Sequence, residues 1–144
     1  MNKQPSIKPL SELPEFALAC IYQLHGTDIT KIPKDLVVTY FDAIYTNTAM
    51  PQDLFVHECV HFVRQGSGEN EDLAKEFCIK YVEDPQFRYE EELLAYREQY
   101  KFLLKHMNKP QAFIHAKRLA MSLSGALYGS ITSYTDALSA IIKK

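Results

Sequence analysis

Histidine, glutamate and histidine stand at fixed spacing in His57-Glu58-Cys59-Val60-His61, an HExxH string set between Leu54-Phe55-Val56 and Phe62-Val63. On a helix, side chains four positions apart lie one above the other, so both imidazoles can reach one metal ion. Glu58 falls beside them on the same face, where its carboxylate can take a proton from a metal-bound water. A water so activated attacks carbonyl groups, and the string therefore points to metal-assisted hydrolysis. Two histidines and a glutamate that merely solvate an exposed helix face are the alternative use of the same residues.

At about 100° per residue, His57, His61, Glu58, Gln65 and Leu54 share one sector of this helix. Val56, Cys59, Val60, Val63 and the two phenylalanines occupy the opposite side. That pattern predicts an apolar back, a polar front at a cleft, and Cys59 turned away from the metal.

Zinc in a hydrolytic site takes three protein ligands and leaves the fourth position to water. Downstream candidates for the third are His106, His115 and the run Glu90-Glu91-Glu92. The stripe Leu93, Tyr96, Tyr100, Leu103, Leu104 and Met107 predicts one apolar face for the helix that follows. Glu91 then falls among Glu98, Lys101 and Lys105 on the solvated side, and Glu90 falls near Arg97. Glu92 lies at the edge of the stripe, in line with Gln99 and Leu103, where a buried carboxylate needs a cationic partner. The alternative is that all three glutamates simply favour the positive end of the helix dipole.

His57-Glu58-Cys59-Val60-His61 together with Glu92-Leu93-Leu94-Ala95-Tyr96 resembles the gluzincin branch of zinc metallopeptidases: HExxH on one helix, and a glutamate in an ExxA or ExxS setting on a second. The chain is also similar to small single-domain proteins of that type in bacterial and phage genomes. The resemblance implies a zincin-like fold, one Zn²⁺ on His57, His61 and Glu92, and Glu58 as general base. It also implies a protein or peptide substrate, the peptide of a bacterial cell wall included. Tyr96 stands where the family often has an aspartate bracing a ligand histidine. A tyrosine there can brace only through its hydroxyl. The oxyanion formed in hydrolysis needs a further donor, for which His115, Tyr128 and Tyr96 are candidates, while Gln65 could orient a ligand or substrate. His106 and His25, near helix ends, are read as dipole partners.

Composition sets the frame. The 144 residues suit one domain, here taken as 1–144, with 47% apolar and 24% charged residues. A net charge of −2 and the lack of a basic block argue against nucleic-acid binding. Cys20, Cys59 and Cys78 are too few for a disulfide framework and read as small core hydrophobes. No run approaches the ~20 apolar residues of a membrane span, and residues 1–13 lack the apolar core of a signal peptide. Cytoplasmic placement is thus the default expectation, although an exported mature form would look the same.

The elements that must position the site follow from punctuation and periodicity. Residues 1–10 read as a loose arm. Ser11 is expected to cap a helix to about Leu24, with Pro14 in its first turn and His25-Gly26 as its stop. Phe16, Ala17, Cys20, Ile21 and Leu24 form its core face. Residues 27–34 read as a turn and 36–41 as a strand, with a short helix or turn over 41–45 as an alternative for its second half. That strand is expected at the cleft, where extended substrate could pair with it. Thr48 or Met50-Pro51 opens the HExxH helix and Gly66-Ser67-Gly68 ends it. Asn70 or Glu71 starts the next helix, which Asp84-Pro85 breaks; others cover about 86–107 and 110–127, and a last one, capped by Ser133 or Thr135, runs into Ile141. Residues 123–130, with two glycines, read as a close packing contact or a cleft wall. The expected class is α+β, predominantly α: the HExxH helix packed against a second long helix, with a small strand element before it. Two non-enzymatic alternatives remain, a zinc-holding scaffold and a helical interaction domain with an incidental motif.

Overall fold

The computed structural model describes residues 3–26 and 33–144. These residues are mostly helical, with one three-stranded sheet. The turn expected over 27–34 lies outside the described residues except for its last two positions. The chain divides into two compact units, Met1–Met50 with His61–Glu83, and Pro51–Val60 with Asp84–Lys144. Among the described residues no helix is long and apolar enough to cross a membrane.

The first unit holds strands β1 (Ser6–Lys8), β2 (Val37–Tyr40) and β3 (Ala43–Thr46) in the order β1-β3-β2. Its first helix is α1 (Glu15–His25), and a later one is α3 (Glu71–Glu83). β2 and β3 pair antiparallel, Tyr40 opposite Ala43 and Val37 opposite Thr46, so the helix or turn offered for 41–45 is replaced by a second strand. The β-rich composition continues through Ile44-Tyr45-Thr46 once Phe41-Asp42 turns the chain.

β1 pairs parallel to β3, Ile7 opposite Ile44. This corrects the expectation of a loose arm at its residues. The bonds are main-chain bonds and Ile7 remains 57% exposed, so no hydrophobic alternation announces the strand. Ser11 does not cap α1: it lies in a 3-10 turn, Leu10–Glu12, and Pro14 holds the cap position. Ala17, Tyr40, Ala43, Tyr45 and Ala74 form the core here, with Phe16, Leu13 and Cys78 packed against it. The Tyr40 hydroxyl donates to Glu71 Oε2 at 2.8 Å, tying sheet to α3.

The second unit is built on α4 (Pro85–His106), α5 (Lys109–Leu123) and α6 (Tyr134–Ile142). Each start has a side-chain cap: Asp84 accepts from the Gln86 and Phe87 amides, Asn108 from Gln111, and Ser133 from Asp136. Ala112, Ala116 and Ala120 repeat every fourth residue on α5, and this ridge of small side chains lets Tyr96, Tyr100 and Leu103 of α4 share its core. α5 stops at Leu123, short of the expected Leu127, because Ser124-Gly125 leads into a 3-10 turn at Ala126–Tyr128. At Gly129, φ is +78° and a Cβ would stand 2.8 Å from Pro85 Cβ, so residues 123–130 make a close packing contact.

Candidate metal centre

Helix α2 (Gln52–Arg64) carries both motif histidines. Of the two expected openings, Met50-Pro51 is used, and the Phe55 amide donates to the Pro51 carbonyl at 3.0 Å. Its end is set by Gly66, at φ +100°, where a Cβ would meet Leu73 Cδ1 at 2.9 Å. The HExxH spacing places the imidazoles on consecutive turns of one face.

That face is the buried one. His57, Glu58, His61 and Gln65 are all 7% exposed or less, whereas Val63 on the expected apolar back is 61% exposed. Phe62 alone among the back residues is fully buried. The helix is thus inverted relative to a simple amphipathic reading. Its polar face stays buried because its groups find partners.

His57 shows how. Its Nε2 lies 3.1 Å from Glu92 Oε1 and 3.7 Å from Glu58 Oε2, and its Nδ1 lies 3.0 Å from Gln99 Oε1. Gln99 Nε2 in turn donates to Asp53 Oδ2 at 2.8 Å. The Tyr96 ring packs on the imidazole with centroids 4.6 Å apart. One ligand atom each from His57, His61 and Glu92 lie within 4.8 Å of one another, a group that could hold a metal ion.

Glu92 is therefore where its helical position suggested, but the buried face of α4 is more polar than the apolar stripe implied. It contains Arg88, Glu91, Glu92 and Gln99, while Leu104, placed in the stripe, is 40% exposed. Glu91, expected on the solvated side, is only 2% exposed. The face is rotated toward polar side chains that have internal partners; Arg88 Nε donates to the Leu127 carbonyl at 2.7 Å. Glu90 and the Glu98–Lys101 pair do lie at the surface.

The remaining candidates divide clearly. The Tyr96 hydroxyl is hydrogen-bonded to Tyr128 and Ser122 rather than to a histidine, so the bracing group on His57 is Gln99. Burial, then the charge of Glu92, pushes the pKa of both tyrosines up, so both hydroxyls stay protonated through neutral pH. Gln65 does not serve a ligand. Its Oε1 accepts from the Phe41 amide and its Nε2 donates to the Thr39 carbonyl, both at 2.9 Å, clamping the β2–β3 turn where Phe41 takes φ +56°. It thereby uses a carbonyl of the strand expected to receive substrate.

His115 is half-buried on α5 and stands outside the three-ligand group. His106 bonds its own helix end through Nδ1 to the Phe102 carbonyl at 2.8 Å, as a dipole partner should. Cys59 is not in the group either, and all three cysteines are free.

No protein-family model, curated protein or solved structure matches the chain. Sequence reasoning missed Gln99 and Asp53 as working residues, although both carried a signal: Asp53 stands four positions before His57, and Gln99 shares the line of Glu92.

Proposed function

We propose that the chain is a zinc-dependent hydrolase of peptide bonds, with the metal on His57, His61 and Glu92 and Glu58 as general base. The observation that carries this reading is the three-ligand group with the Glu58 carboxylate 3.7 Å from a ligand nitrogen. Two imidazole nitrogens and one carboxylate oxygen are a donor set zinc accepts. Bound there, zinc supplies Lewis acidity that makes water a nucleophile near neutral pH. Glu58 takes the proton of the attacking water on its carboxylate and passes it to the departing amine. His57, fixed on both ring nitrogens, and Glu92 hold their donor atoms in place without rearrangement. The zincin-like arrangement and the gluzincin assignment rest on the same residues.

A zinc-holding scaffold is the competing reading, and it calls for a fourth protein ligand. Among the described residues the group has three, which favours the hydrolase. The test pairs elemental analysis with a peptidase screen on unstructured protein and cell-wall peptide. About one zinc per chain, with hydrolysis abolished and zinc retained in Glu58→Gln, is the expected result. Undiminished turnover in that variant would remove Glu58 from the chemistry, and a metal-free wild type that takes up no added zinc would end the reading.

A further inference from the structure

We infer that Gln99, oriented by Asp53, is a positioning residue that fixes the tautomer of His57 so that Nε2 is its metal-binding nitrogen. This rests on the metal-centre reading above and extends it to residues outside the motif.

A glutamine side chain has one accepting and one donating end, and which end faces where is decided by its partners. Asp53 carries only acceptors on its carboxylate, so the end of Gln99 that lies 2.8 Å from Oδ2 must be the NH₂ group. The carbonyl Oε1 is then the end 3.0 Å from His57 Nδ1. An acceptor at that distance requires a hydrogen on Nδ1, and the neutral ring then keeps its lone pair on Nε2. That nitrogen faces Glu92 Oε1 at 3.1 Å. A lone pair and a carboxylate so close repel each other unless a cation, a ring proton or a metal ion, lies between them, and the proposed zinc would take that place.

The placement is economical in sequence terms. Asp53 is one helical turn before His57 on α2, and Gln99 is two turns after Glu92 on α4, so α2 supplies two ligands and the outer member of the brace, and α4 supplies the third ligand and the inner member. Gln99 is 5% exposed, which leaves little water to exchange with its hydrogen bonds. The family pattern's position for a bracing aspartate holds Tyr96, whose hydroxyl goes to Tyr128 and Ser122. The brace has moved along α4 and become an amide, with the carboxylate one hydrogen bond further from the ring.

The test uses full-length protein, wild type and two variants, with zinc itself as the probe. Gln99→Leu keeps the volume and deletes the acceptor. Gln99→Glu combined with Asp53→Asn restores it by exchanging carboxylate and amide, so that an Asn side chain donates to a Glu that accepts from Nδ1. Zinc affinity is read by chelator competition, and the His57 tautomer by nitrogen-15 NMR of metal-free and zinc-loaded protein. Loss of an outer-shell partner weakens a metal by about 10–100-fold. The expected result is that loss in Gln99→Leu, recovery to within about threefold in the exchanged pair, and a proton on Nδ1 in wild type.

Wild-type affinity in a folded Gln99→Leu, or a wild-type His57 bearing its proton on Nε2 when neutral, would overturn the inference. If Gln99→Leu does not fold, the exchanged pair decides: weak zinc binding by a folded pair counts against the brace. If wild type binds no zinc, the metal reading fails, and the tautomer in metal-free protein still decides the role of Gln99.

Discussion

Glu91 and Glu92 are neighbours on α4, both carboxylates and both buried, at 2% and 5% exposure. Only Glu92 joins the three-ligand group, while Glu91 has interaction partners of its own. Changing each to glutamine separates their roles by thermal denaturation with and without zinc. A ligand present at 100 times its Kd stabilises the folded state by about 2.7 kcal/mol. At roughly 3 °C per kcal/mol for a chain of this size, the wild-type midpoint should rise by about 8 °C. In Glu92→Gln the new amide can donate to His57 Nε2 from where Oε1 now stands, so the zinc-free midpoint should shift by no more than about 3 °C, about 1 kcal/mol. Losing the anionic ligand should weaken zinc by at least about 100-fold, on the scale of or above an outer-shell loss. Zinc then stands near its Kd and the rise falls to about 1 °C. Glu91→Gln should behave in the opposite way. A buried group deprived of its partner costs about 1–3 kcal/mol, lowering both midpoints by roughly 3–9 °C while the zinc-induced rise stays near 8 °C. A rise abolished in Glu91→Gln and kept in Glu92→Gln would refute the ligand assignment and the use of burial to separate the two.

Gln65→Leu should remove both bonds that clamp the β2–β3 turn and destabilise the protein by about 1–3 kcal/mol, measured by urea denaturation, with unchanged zinc affinity per folded molecule. A zinc affinity that falls with it would restore Gln65 to the site. Cys78 should resist alkylation, because burial pushes its thiol from 9.0 up to about 12. Its thiolate fraction near pH 8 is then about a thousandth of that of an unperturbed thiol. The sign for stability follows: the unfolded chain gives up this proton above about pH 9 while the folded chain holds it to about 12, so stability falls as pH rises between these values. Labelling of native protein as fast as of denatured protein at pH 8 would contradict that environment.

The helices were legible because their ends are written in local chemistry. Asp84-Pro85, Asn108 and Ser133 each place an acceptor on a free amide of the following turn, and that bond depends on few other residues. The HExxH helix and the place of Glu92 near its two histidines were legible for the same reason, as spacing along a helix. What sequence did not reveal depends on partners distant in the chain. β1 is held through its backbone by residues about 37 positions away, and Gln65 and Gln99 are defined by Thr39, Phe41, Asp53 and His57. Glu91 was misplaced by assuming that the buried face of α4 is its apolar face, an assumption that fails when polar groups satisfy one another.

The same failure on α2 bears on function. Neither hydrophobic cluster among the described residues takes a side chain from this helix. Its fourfold stripe is polar throughout: Asp53, His57, His61 and Gln65. A hydrogen bond contributes about 1 kcal/mol net, whereas a fully buried leucine contributes about 1.5–3 kcal/mol, so stability alone would favour leucines along this stripe. The two ends of the stripe have bonds that fasten the helix, Asp53 to Gln99 in one unit and Gln65 to the β2–β3 turn in the other. The middle pair is the two imidazoles. A stripe that forgoes hydrophobic burial, secures its ends with polar bonds and keeps both imidazoles beside two buried carboxylates departs from the stability optimum where a divalent ion would justify it. Zinc-free protein should therefore keep its fold and its helix content, and the gain from zinc should appear as added stability rather than as folding itself. Loss of the helical circular-dichroism signal on chelation would show that the fasteners at the ends of the stripe are not enough.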